Sequence, residues 1–462
     1  MDYLFDPTVF ASTFGERENI ENKQGIRFKL FPFASSSNDS YKITPDFKVI
    51  IGHFFRLLTD TSFENDTVCL DKLSKKLTDT LELEDEEKAI FINVLKGVFF
   101  PDGKFTVNNL KLFNCLPEAQ TNTMNYIAAF LFDVLKPDNT LKMQIKATLE
   151  NCKCNVIEQL IYDTENNEPH NFLKKDAPFF ALVNNVSESF NKDLKFMLEE
   201  GITGLEDFNR LLSLYFFYYL SQVCFELDSF TEGKRRPTIP LYFALDWEKI
   251  SQNRKCCTQG WRILENHINN MFSHAVTLEL LNQTTSEQRF DYIELGVLAS
   301  SSYSTDLNIA NEIDKIIHEY CSKIGFNEFK QYEIDPTKNF TKNKLQELFG
   351  YVCQQFETIN RKAAKKRYNG RFLEYCKSRW LKNRKRAGWI LNLKENDILF
   401  LTKLCIQNGD MIRLNDLFTE FESRGIFLDN GSKENLQDYF LKLNLIDKKS
   451  DSGDAQYVKR IL

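Results

Sequence analysis

The stretch LLSLYFFYYLSQVCF, Leu211–Phe225, is the one long apolar run in a chain of 462 residues, and its fate sets the architecture. A membrane-spanning helix needs about 20 apolar residues. This run is shorter, is interrupted by Ser213, Ser221 and Gln222, and would strand Tyr215, Tyr218 and Tyr219 at mid-bilayer. It reads instead as a helix buried on all sides, which obliges other helices to surround it.

Those surrounding helices are legible. After Pro45, Phe47, Ile50, Ile51, Phe54, Leu57 and Leu58 recur at three- and four-residue spacing. Helical patterns follow over 66–80, 85–99, 121–136, 155–162 and 205–228, then over 258–283, 305–324 and 341–366. Turn clusters such as Pro101-Asp102-Gly103 and Pro137-Asp138-Asn139 separate them. Two short strands are expected, at 25–33 (GIRFKLFPF) and 238–245 (TIPLYFAL). The chain carries 41 Phe against 4 Trp, which suits packed helical layers better than a stacking surface. The expected fold is mainly α: a multi-helical body with minor β elements and a carboxy-terminal winged-helix-like domain. The expected divisions are an extended segment at 1–44, helical regions at 45–235 and 236–360, a basic linker helix at 361–391 and the winged-helix-like domain at 392–462.

The eleven cysteines are scattered and odd in number, and Met1–Asn22 opens with Asp2, Tyr3 and Asp6 where a secretory signal would carry cations. Free thiols in a reducing cytoplasm, with no membrane contact, are therefore expected.

Charge is distributed unevenly. Arg361, Lys362, Lys365, Lys366, Arg367, Arg371, Lys377, Arg379, Lys382, Arg384, Lys385 and Arg386 are opposed between 361 and 386 only by Glu374. That segment carries +11 formally, so the rest of a chain of net charge −6 carries −17. Tyr368, Phe372, Tyr375, Trp380 and Trp389 are interleaved. Such asymmetry points to a polyanion, with phosphate-backbone contact as the functional reading. An acidic protein surface is the alternative.

After Asn392, helices are expected over 394–408, 413–424 (capped by Gly425) and from Asp429 or Ser432 through Leu443. Strands at 445–449 and 456–462 come next, joined by the polar turn Ser450–Asp454. Three short helices ending in a hairpin is the winged-helix order. The third helix, however, carries Glu434 and Asp438 beside Lys433 and Lys442, which weakens a groove-reading role.

Catalytic motifs are missing. Gly103-Lys104 and Gly233-Lys234 lack the hydroxyl residue of a phosphate-binding loop, and no dinucleotide or nucleophile-elbow pattern occurs. Asp46 with Glu86-Glu87-Lys88 superficially resembles a metal-nuclease set, but Glu84–Lys88 reads as the acidic first turn of a helix. Cys152-x-Cys154 and Cys256-Cys257 with His267 and His274 lack zinc spacing. No cofactor, metal or catalytic residue is expected. Asp246-Trp247-Glu248 with Arg254 and Trp261 reads as an ion-pair corner or, as a candidate partner-binding site, an interface anchor.

Together, Tyr242–Glu248 with Ser251, Arg254 and Gly260-Trp261, then Arg371-Phe372-Leu373-Glu374 and Arg424-Gly425-Ile426-Phe427, resemble the DptG family. The terminal stretch from Leu443-Asn444-Leu445-Ile446 to Lys449–Val458 carries the resemblance further. That family is the G subunit of DNA phosphorothioation-dependent restriction systems, which serve anti-phage defence in bacteria. The resemblance implies a non-catalytic subunit acting beside F-type and H-type ATPase partners on DNA. The competing expectations are a winged-helix transcriptional regulator and a divergent nuclease.

Overall fold

In a computed structural model the apolar run lies within the helix Leu205–Ser229, whose side chains from Leu211 to Leu227 are all buried. Glu206 and Asp207 sit in its first turn, where the helix dipole favours negative charge. Aromatic rings from several neighbours close on it. Phe216 meets Phe47, Phe130, Phe372 and Tyr375 edge-on, and Phe217 packs against Phe243 and Trp380. The phenylalanines thus fill one continuous core. No helix among the described residues is long and apolar enough to cross a membrane. The structure describes residues 3–38, 41–61, 70–81, 83–103, 105–119, 121–166, 178–230, 235–407, 409–448 and 456–461.

The chain is mainly helical, as expected. The expected helix over 258–283 is broken at Asn269-Asn270 into Trp261–Ile268 and Met271–Leu281. That over 341–366 is broken after Phe356, where Thr358 turns extended and starts a new helix, Ile359–Arg379. The start of the helix expected at 66–80 lies outside the described residues, and Leu70–Leu81 is helical. Pro7–Phe14, Asn139–Asn151, Asn185–Glu199 and Tyr292–Ala299 are helices that periodicity did not reveal.

The strand expected at 25–33 does not form. Phe28, Leu30, Phe31 and Phe33 are buried as a strand would bury them, but no strand among the described residues pairs with them. The buried carboxylate of Glu279 instead accepts the backbone N–H groups of Ile26, Arg27 and Phe28 at 3.0, 2.9 and 3.2 Å. One side chain here takes the place of a ladder.

Among the described residues there are seven short strands: β1 (Tyr242–Leu245), β2 (Leu381–Asn383), β3 (Trp389–Leu393), β4 (Met411–Arg413), β5 (Phe427–Leu428), β6 (Ile446–Lys448) and β7 (Gln456–Lys459). β1 occupies the middle of a sheet ordered β2-β3-β1-β5, parallel to β3 and β5, while β2 and β3 form an antiparallel hairpin. This sheet crosses the boundary expected at 392. The segment 361–391 is accordingly no linker helix. Its helix ends at Arg379, and the hairpin β2–β3 ties the carboxy-terminal elements into the body.

Those elements are helices Glu395–Ile406, Leu414–Ser423 and Asn430–Lys442, the last capped by Asp429. An antiparallel sheet ordered β4-β7-β6 closes on them. Gly425 lies at φ 78° with its Cα against the Tyr218 ring, where any Cβ would clash. The turn expected at Ser450–Asp454 lies outside the described residues.

Candidate nucleic-acid interface

The helix Ile359–Arg379 exposes cations because its other faces are fully engaged. Tyr368, Phe372, Tyr375 and Cys376 are buried, and Trp380 follows them into the core just beyond the helix end. The Tyr375 hydroxyl is 2.7 Å from Ser213 Oγ of the central helix and accepts the Trp380 indole N–H at 3.3 Å. Asn369 accepts the backbone N–H of Phe272 and donates to the Asn269 carbonyl. Of the aromatic residues interleaved with the cations, Tyr368, Phe372, Tyr375 and Trp380 are therefore anchors, and Trp389 alone stays exposed.

The twelve cations divide by fate. Arg361 donates to the Ile324 carbonyl, Arg367 to that of Ser35 at 2.6 Å and Arg371 to that of Ser36 at 2.7 Å. Arg367 and Arg371 thereby hold the amino-terminal segment against the helix. Arg379 forms a two-pronged pair with Asp397 at 2.9 and 2.7 Å and lies over the Trp380 ring. Burial opposes its charge, but the hydrogen bonds to Asp397 outweigh burial and raise its pKa. Lys382 donates to Asp246 Oδ1 at 2.7 Å, which holds that carboxyl below its usual range. Arg384 gathers the carbonyls of Leu245, Asp246 and Glu248 and Oδ1 of Asn392, closing the end of β1. Lys365 is half-buried beside the Phe356 ring.

Lys362, Lys366, Lys377, Lys385 and Arg386 remain. All five are exposed, and their side chains have no hydrogen-bond or ion-pair partner among the described residues. Lys362, Lys366 and Lys377 fall within about 60° of one another around the helix and span about 22 Å along it. Exposed Glu374 shares this side of the helix. Lys385 and Arg386 crown the β2–β3 hairpin, whose tip is fixed by φ values of 54° at Lys385 and 76° at Gly388. The structure thus leaves five outward cations, three on one side of the helix and two on the hairpin tip. Lys362, Lys366, Lys385 and Arg386 are four of the eleven cations of the segment expected to contact nucleic acid, and Lys377 was not among those eleven.

The partner-binding candidates part ways. Glu248 is buried, with its carboxylate accepting from Leu245 N at 2.6 Å, Ser432 Oγ at 2.7 Å and Arg254 at 2.9 Å. Arg254 also forms a two-pronged pair with Asp429. Burial pushes the Asp429 carboxyl up, and Arg254 with the Ser432 N–H outweighs it and holds the pKa low. Gly431 leaves room for this guanidinium, which a Cβ would meet at 3.1 Å. Trp261 is buried too. Glu248, Arg254 and Trp261 therefore form an ion-pair corner rather than an accessible anchor. Asp246 keeps a partly exposed edge, and Trp247, 36% exposed, lies against Tyr439 with ring centroids 4.6 Å apart.

This corner has a consequence for groove reading. A helix that enters a major groove does so with its amino-terminal residues. Here Asp429, Gly431, Ser432 and Asn435, at the start of Asn430–Lys442, are turned onto Glu248 and Arg254. The exposed residues farther along are Glu434, Asp438, Leu441 and Lys442.

His267 and His274 do not share a helix. Both meet Asp228, at 2.5 and 2.6 Å, and His274 is buried beneath Phe349. Among the described residues no group of three or more His, Cys, Asp or Glu is arranged to hold a metal. Sequence reasoning passed over Arg262, which is exposed and lines one groove with Arg386 and Trp389. Its adjacency to Trp261 was the only available signal. No protein-family model and no curated protein matches the chain.

Proposed function

We propose that the chain is a non-catalytic subunit that contacts DNA through Lys362, Lys366, Lys377, Lys385 and Arg386 and docks proteins elsewhere. The carrying observation is that these cations are exposed and unpaired among the described residues, in a chain that is acidic outside the segment. Each phosphate they neutralise releases counterions, giving affinity without base readout. The DptG resemblance extends the proposal to a bacterial, cytoplasmic complex for phosphorothioation-dependent restriction, in which F-type and H-type ATPase subunits supply the driven steps. We read the carboxy-terminal helices with the sheet β4-β7-β6 as a winged-helix-like module that serves protein docking. Exposed Trp247, which lies against half-buried Tyr439, favours this use together with exposed Leu441 and Leu443, since aromatic anchors dominate interfaces. The transcription-factor alternative needs the start of Asn430–Lys442 free, and the Glu248–Arg254 corner covers it.

The test is duplex binding by the full chain at low salt. Changing all five cations to Gln is expected to abolish binding while the melting temperature stays constant. Unchanged binding would leave only the docking role.

A further inference from the structure

Beside the hairpin tip lies an open groove of about 390 Å³, between Arg386–Trp389 and the segment Gln252–Glu265. That volume falls in the range of small-ligand clefts. One wall is Trp389, 41% exposed although it opens strand β3. Arg386 and Arg262 flank it, both exposed and without a side-chain partner among the described residues. Trp261 also lines the groove, and its buried indole N–H has no acceptor among the described residues. Gln252 donates its amide to the Arg386 carbonyl at 2.7 Å, which holds the tip and leaves the Gln252 side-chain oxygen as an acceptor. Glu265 supplies one carboxylate against the two guanidinium groups.

We propose that this groove receives an unstacked base of single-stranded DNA. The proposal rests on the DNA reading above and narrows it. A paired base has both faces covered by its neighbours, so only an unpaired one can lie on Trp389. Base–aromatic stacking is strong and tolerant of sequence, and flanking cations hold the backbone on either side. The acceptors of Glu265 and Gln252 suit the exocyclic amino groups of cytosine and adenine. The site is preorganised: the Arg384 side chain is committed to the β1 carbonyls and its backbone N–H to the Gly388 carbonyl at 2.8 Å, so the tip is fixed before a ligand arrives. It shares Arg386 with the cations proposed to contact DNA.

The experiment compares binding of the full chain to a single strand of about 15 nucleotides and to the duplex of the same sequence. Trp389→Ala is expected to lower single-strand affinity by about tenfold or more and leave duplex affinity within about twofold. Trp389→Phe should restore much of the loss, and Arg262→Ala should weaken single-strand binding alone. Melting temperatures keep folding defects apart from binding ones. If Trp389→Ala and Arg262→Ala bind the single strand as wild type does while duplex binding persists, the groove proposal is overturned and the DNA reading stands. If wild type binds neither form at low salt, the DNA reading falls and the groove with it.

Discussion

Individual side chains in this protein are spent on two tasks, locking the chain together and leaving charge outside, and substitutions should separate them sharply. Arg424 and Asp193 are both fully buried and joined by contacts of 2.8 and 2.5 Å, with the Tyr215 hydroxyl donating to the same carboxylate at 2.7 Å. Removing one partner of a buried pair leaves an uncompensated charge. Arg424→Ala should therefore destabilise by about 3–5 kcal/mol, read from denaturant midpoints. Lys362→Ala, at an exposed unpaired position, should stay within about 0.5 kcal/mol. His274 makes a pH prediction. Burial pushes its pKa below the ordinary value, although the Asp228 carboxylate draws it back up. The neutral ring fits its surroundings: Nε2–H donates to Asp228, and Nδ1, 3.0 Å from the Tyr292 hydroxyl, accepts. The unfolded chain takes up this proton more readily, so the stabilisation is complete above about pH 6.5 and declines as pH falls towards the folded value. Melting curves from pH 8 to about pH 5 should show that decline, and His274→Gln should flatten it.

At the level of elements, what was legible depended on whether neighbours or local pattern decided the outcome. The helices over Leu205–Ser229 and Asn430–Lys442 follow from apolar spacing and, for the second, from the Asp429 cap, so sequence found them. The stretch 25–33 alternates like a strand, but its backbone partner is the side chain of Glu279, remote in the chain and invisible to periodicity. The basic segment was legible as charge and not as fate. Nothing local says that Arg371 will meet the Ser36 carbonyl or that Arg379 will meet Asp397, whereas Lys366 and Lys377 stay outside. The ion-pair corner likewise joins residues 248, 254 and 429. Because it covers the start of Asn430–Lys442, binding should ignore base sequence. Competition among unrelated duplexes of equal length should give affinities within about threefold, against the preference of about a thousandfold or more that a base-reading module shows. A footprint confined to one operator would restore the regulator alternative.

Across the whole molecule, the fold converts an uneven linear charge distribution into a surface. One hydrophobic core runs from the amino-terminal segment to β7, so the basic helix is a rib of the body and the hairpin beside it is tied in through β1 and β3. The central claim is that this rib neutralises DNA phosphates. Measuring duplex affinity against salt concentration tests it most directly, because the logarithmic slope counts the phosphates engaged, at about 0.9 for each. Five outward cations predict a slope of about −4.5, reduced by about one for each of these lysines that is removed singly. A slope near zero, or one that loss of Lys366 and Lys377 leaves unchanged, would contradict the account.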